Sequence, residues 1–130
     1  PNIWMHKNIM YVCIKLYQFI MNQHLKGSLS TIILKLLHDN GRMYGYEITQ
    51  TVKELTGGKI QLTEGALYPS LHSLEAEAIL VTETEYIGKR VRKYYKLSPE
   101  GKNMTKEKLS EFADFINTMK FLLDIKINNA

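Results

Sequence analysis

A mainly α fold of the α+β class is predicted by three features of this chain. Three short amphipathic helices fall within about fifty residues, a strand–turn–strand follows them, and one long helix comes last. A length of 130 residues favours one compact domain, and 45% hydrophobic content is ample for a packed core. The formal charge of +4 and an isoelectric point near 9.1 suggest an anionic partner, although where the charge lies matters more than its sum. The one cysteine, Cys13, has no internal disulfide partner, which fits a reducing cytoplasm.

Residues 1–20 are rich in apolar and aromatic groups, but Lys7, Lys15 and Gln18 interrupt them, so no run is long enough to span a bilayer. They also lack the long apolar centre and small-residue cleavage site of a signal peptide, so neither membrane insertion nor export is expected. We read them as an N-terminal extension, either disordered or an added helix over an apolar surface. The domain proper is then expected to begin at Met21 and to run to residue 98.

From Leu25 onward the pattern is regular. Leu29, Ile32, Ile33, Leu36 and Leu37 recur at the spacing of one helical face, with Ser28 or Ser30 available as a cap and Asp39-Asn40-Gly41 as the stop. Gly45 precedes a second helix over 46–55, with Ile48, Val52 and Leu55 on one face, and Thr56-Gly57-Gly58 closes it. Residues 59–62 are expected to add a short extended segment. A third helix spans 63–78, with Thr63 as N-cap and Leu67, Leu71, Leu74 and Ala78 facing the core. Its other side shows Glu64, Gly65, Tyr68, Ser70, His72 and Ser73, which are short or amphipathic groups able to hydrogen-bond. Pro69 deletes one backbone hydrogen bond and crowds the carbonyl of Gly65, which tolerates a small distortion. Such a trio is the framework of a helix-turn-helix domain.

Beyond Ala78 the period falls to two, and residues 79–86 and 91–97 read as strands joined at Ile87-Gly88-Lys89. Lys89, Arg90, Arg92, Lys93 and Lys96 lie on the tip and the returning strand, interleaved with Tyr94 and Tyr95 and with no acid between Tyr86 and Lys96. Such a charge run is ordinarily a solvated face. Beside a candidate recognition helix it reads instead as a two-stranded β-wing reaching phosphates, which makes the fold a winged helix-turn-helix. Ser98-Pro99-Glu100 then starts a long helix, with a capping serine, proline at the first position and an acid at the positive end. Leu109, Phe112, Ile116, Met119 and Leu123 step by 3 and 4 along it, and Phe115 and Leu122 widen the stripe. This helix either folds back on the first core helix or pairs with a second chain. We favour pairing, which makes residues 99–130 a C-terminal dimerisation helix and these seven residues its interface.

No paired-cysteine metal spacing, glycine-rich phosphate loop or nucleophile elbow occurs, and His6, His24, His38 and His72 are scattered. Neither an enzyme nor a bound metal or cofactor is expected.

Four separated motifs carry a resemblance. They are Leu25-Lys26-Gly27-Ser28-Leu29, Gly41-Arg42-Met43-Tyr44-Gly45-Tyr46-Glu47-Ile48, Thr63-Glu64-Gly65-Ala66-Leu67-Tyr68-Pro69 with Leu71, Leu74 and Glu75, and Arg92-Lys93-Tyr94-Tyr95. In order and spacing the chain resembles the PadR-family transcriptional regulators of the short type with a single C-terminal helix. The resemblance implies a dimeric repressor that binds a double-stranded DNA operator, with the third helix in the major groove and the wing on the phosphate backbone. The DNA-contacting candidates are then Tyr44, Tyr46, Thr63, Glu64, Gly65, Ala66, Tyr68, Pro69, Ser70, His72, Ser73, Lys89, Arg90, Arg92 and Lys93. Phenolic hydroxyls of the tyrosines could bond phosphate oxygens, while Glu64, Ser70 and His72 are the expected base readers. Some members respond to phenolic acids or flat hydrophobic drugs, so a small effector is implied without any residue that specifies one.

Two departures stand out. His72 and Ser73 occupy positions where relatives often carry arginine or lysine, so the third helix has three acids and no lysine or arginine. Ala78 also replaces the usual glycine at the helix end. The competing reading is a winged-helix protein-interaction module that never meets DNA.

Overall fold

The computed structural model describes residues 3–126, apart from the side chains of residues 22 and 23; the remainder of the expected extension and of the last helix lies outside the described residues. Five helices and three strands run in the order α1(Ile3–Leu25), α2(Leu29–Asn40), β1(Arg42–Tyr44), α3(Gly45–Leu55), α4(Glu64–Ala76), β2(Leu80–Ile87), β3(Arg90–Leu97) and α5(Pro99–Leu123). Leu29, Ile33, Leu34, Leu36 and Leu37 of α2 form the centre of the core. Ile48 and Val52 of α3, Leu67, Leu71 and Leu74 of α4, and Met43, Ile79, Leu80, Tyr95 and Leu97 of the sheet close around them.

Several boundaries differ from the periodic reading, each for a local reason. Residues 59–62 form no strand, and Ile60 and Leu62 instead pack on the core from a loop. The extra strand is β1, which adds to the outside of β3 so that the sheet has three strands in the order β1-β3-β2 rather than two. Three residues are too few to register as a period, and their pairing comes from a partner fifty residues away. Leu55 ends α3 beyond the reach of the core and is exposed. Ser28 holds the N-cap position of α2 without capping it, because its hydroxyl donates to the Leu25 carbonyl at 3.1 Å.

The third helix also stops short of Ala78, which is exposed and adopts a left-handed backbone, φ +60°. Its N–H donates to the Glu75 carbonyl and that of Ile79 to the Leu74 carbonyl, both at 3.0 Å. This pair of bonds satisfies the last carbonyls of α4 in the way a terminal glycine ordinarily allows. The core-facing role then passes to Ile79 and Leu80.

The start of α5 is tied to the same place. The Ser98 side chain caps the helix by accepting from the Gly101 N–H at 3.0 Å, and its hydroxyl lies 2.7 Å from the Ala78 carbonyl and 3.1 Å from that of Ile79. Gly101 and Thr105 are the buried residues of α5, which also packs on α2. Of the two alternatives left open for α5, the fold-back is seen in part: the helix packs on α2, while Phe115, Ile116, Leu122 and Leu123 remain exposed.

Of the two alternatives for residues 1–20, the described part is helical, and α1 passes Met21 without a break to reach the buried Leu25. It covers little, since Trp4, Met10, Tyr11 and Phe19 stand exposed. No described helix is long and apolar enough to cross a membrane.

Candidate nucleic-acid interface

The exposed side of α4 and the wing form the two walls of an open cleft of about 580 Å³, and several residues distant in sequence meet there. Tyr68 and His72 come from α4, Tyr44, Gly45 and Tyr46 from the junction of β1 with α3, and Arg90, Arg92 and Lys93 from β3. Thr63 fixes the near end of α4, its hydroxyl oxygen accepting from the Ala66 N–H at 3.2 Å. Tyr68 lies so close over Gly45 that a Cβ there would sit 2.6 Å from the phenolic oxygen, so glycine is what lets this ring pack down against the β1–α3 junction.

The remaining α4 candidates divide between two sides. Glu64, Gly65, Pro69 and Ser73 are exposed. Ser70 is not on the outward side expected for it: half-buried, it lines a separate groove of about 380 Å³ with Thr63, Ala66, Leu25, Leu29 and Leu62. The cause is helical geometry, since Ser70 sits two residues from Tyr68 and His72 and so about 200° around the axis from each.

The sheet sorts the basic residues by partner. Arg92 forms no ion pair with a carboxylate among the described residues; its guanidinium lies 4.2 Å from the centre of the Tyr44 ring, which stacks on Tyr46 and meets Tyr94 edge-on. The hydrogen bond to Tyr94, then the nearby Tyr44 and Glu47, hold this guanidinium in its charged form more firmly still, against the effect of burial. Arg42, by contrast, reaches Glu83 at 3.1 Å and Glu85 at 3.0 Å while lying 4.1 Å from the Tyr94 ring. Lys96 also pairs with Glu83, and Lys96 first, then Arg42, draws the Glu83 carboxyl below the usual carboxylate range. Lys93 points to the α4 side, 3.3 Å from Glu75. Burial opposes its charge, but the hydrogen bond to Glu75 and the neighbouring Tyr95 and Glu75 charges leave the ammonium shifted upward. Lys89 and Arg90 form no ion pair among the described residues, so positive charge without a carboxylate partner is concentrated in Lys89, Arg90 and Arg92.

Arg42 and Glu75 were missing from the candidates read in the sequence, and hairpin register is the signal that bears on the first. Counting outward from the two-residue turn Gly88-Lys89 puts Glu85 opposite Arg92 and Glu83 opposite Tyr94, which brings acids beside a strand that has none of its own. Among the described residues no group of three or more histidine, cysteine or acidic side chains could hold a metal ion.

Comparison with known proteins finds relatives of this chain. Residues 33–107 match the model of the "Transcriptional regulator PadR-like family". The transcriptional regulator Rv3488 of Mycobacterium tuberculosis is 33% identical over 75 residues, 56% of this chain and 67% of that protein. A transcriptional regulator from Clostridium thermocellum superposes with a TM-score of 0.69 at 28% identity, over 81% of this chain and 99% of the other. Bacillus subtilis PadR, crystallised with operator DNA, gives a TM-score of 0.56 at 32% identity, over 62% of this chain and 46% of its own.

Proposed function

The chain belongs to the PadR-like family of transcriptional regulators, and from that membership we propose that it is a dimeric repressor whose α4 enters the major groove of a duplex operator while the wing tip lies on the phosphate backbone. The observation that carries this reading is the cleft itself: the exposed Tyr68 and His72 of α4 face the same space as Arg90 and Arg92, two cations that form no ion pair among the described residues. Base edges are read by the helix and phosphates by the wing, the division that winged helices require. Tyr44 supports the second role, since a guanidinium stacked on an aromatic ring is held in place without being neutralised.

Dimer formation falls to α5. Phe115, Ile116, Leu122 and Leu123 would otherwise leave an apolar stripe in water, and Phe112, Phe115, Met119 and Leu123 also line an open cleft of about 900 Å³ against the start of α2. That cleft is where a small hydrophobic or phenolic effector would act, at the seam between the dimer helix and the DNA-binding core.

The test is a salt titration of binding to random and operator duplexes, the operator located by footprinting DNA upstream of the protein's own gene. Arg90→Ala with Arg92→Ala should weaken binding to every sequence about equally and lower the log–log salt slope by about 2, since each phosphate contact contributes roughly 0.9. A protein-interaction module would show no binding, or a flat salt response, in the parent protein as well.

A further inference from the structure

We propose that Glu75 is a positioning residue that withholds Lys93 from the DNA, so that the wing meets phosphates with Lys89, Arg90 and Arg92 alone. This inference rests on the DNA-binding reading above. Lys93 lines the cleft with Tyr68, His72, Arg90 and Arg92, so by position it belongs to the same contact surface. By chemistry it does not: its ammonium is taken by a carboxylate of α4, Glu75 Oε2 at 3.3 Å. The two side chains come from different elements eighteen residues apart, so the pair depends on how the sheet lies against α4. The centre of the Tyr95 ring lies 5.3 Å from Lys93 Nζ.

The charge balance of α4 gives the pair its meaning. That helix carries Glu64 and Glu75, and Glu77 just beyond it, with no lysine or arginine. A lone carboxylate beside a phosphate backbone repels it, whereas one coupled to an ammonium makes a neutral unit that neither repels nor attracts at distance. Glu75 therefore has two effects: it escapes repulsion by pairing, and it removes one cation from the phosphate contacts. Since the pair is exposed, it contributes little to stability, and its removal should be read in binding and not in folding.

Glu75→Gln keeps the size and hydrogen-bonding reach of the side chain while freeing Lys93. The expected result is a salt slope on random duplex DNA steeper by about 0.9, so that the ratio of affinities at 50 and 200 mM salt widens roughly three- to fourfold. Operator ranking should stay as it was. Lys93→Gln in the parent background should leave the slope almost unchanged, because that ammonium makes no phosphate contact, while the bared Glu75 carboxylate weakens binding to every sequence alike. In the Glu75→Gln background the same change should return the slope to the parent value. Glu107→Gln, on the exposed side of α5, makes an equal change in net charge and should not steepen the slope. Three results overturn the inference: an unchanged slope in Glu75→Gln, a slope lower by a full contact in Lys93→Gln alone, or an equal response to Glu107→Gln. If the parent protein shows no salt-dependent binding at all, the DNA-binding reading fails and this inference with it. If the parent binds and only the variants disagree, the inference alone is lost.

Discussion

Replacing Gly101 with alanine would put a methyl group against the peptide of Ile79. The added carbon would come within 3.0 Å of the Ile79 carbonyl oxygen and lie 3.2 Å from both the carbonyl carbon and Ser98 Oγ. That oxygen is backbone and already accepts from the Ser98 N–H at 3.0 Å and the Ser98 hydroxyl at 3.1 Å, so it cannot move aside without loosening both. Overpacking of this kind costs about 1–3 kcal/mol, and a weakened bond to a buried carbonyl adds roughly 1 kcal/mol. Alanine recovers about 0.8–1.0 kcal/mol through its better helix propensity. The net expectation is a loss of about 1–3 kcal/mol. Urea denaturation followed by helical circular dichroism measures it, at one fixed protomer concentration because association would itself shift the midpoint. Gly27→Ala is the control, since nothing lies within 4 Å of a Cβ there. Equal midpoints for the two variants would show that the approach of α5 to Ile79 constrains nothing.

The other expectations are simpler to state. Ile116→Lys should give folded monomers in sedimentation, and a dimer persisting at micromolar concentration would move the interface off α5. His72→Ala should change preference among operator variants by about 1–3 kcal/mol per lost good contact, whereas Ser70→Ala, altering a side chain that turns away from the cleft, should leave the ranking intact. A ranking moved by Ser70 and not by His72 would reverse the orientation of α4. Ala78→Gly should stabilise the protein by about 0.5–1 kcal/mol, because an L-residue with φ near +60° carries a steric cost that glycine lacks, partly offset by the freer unfolded chain. An unchanged or lowered thermal midpoint would mean that the left-handed cap is not under strain.

What could be read in the sequence was whatever repeats along one element. The stripe of α2, that of α4 up to Leu74, the cap at Ser98 and the tip of the hairpin all show in spacing and recur in the structure, whereas Ala78 fits the period but lies beyond the helix. What needed a partner did not show. Strand β1 exists through its pairing with β3, and Leu55 fits the period of α3 but overruns the core. The same division runs through the candidate site. The basic run was visible, but the pairing of Arg42 with Glu83 and Glu85, of Lys93 with Glu75, and of Arg92 with Tyr44 is written in the third dimension. A count of lysines and arginines therefore overstated the charge that the wing presents.

The separation of sign between α4 and the wing tip also acts before any contact is made. Opposed charges on neighbouring elements give the protomer an electrical orientation, felt over about 8 Å at physiological ionic strength. A protomer diffusing toward a polyanion would turn the cationic tip of its wing forward and keep Glu64 of α4 and Glu77 beyond it back. Arrival would then be quick and indifferent to sequence, with the protein held by a few backbone contacts weak enough to slide. Seating α4 in the groove, as proposed above, would come second and would persist only where base edges compensate for the Glu64 carboxylate, which forms no ion pair among the described residues. Discrimination between sites would lie in how long the protein stays and not in how often it arrives.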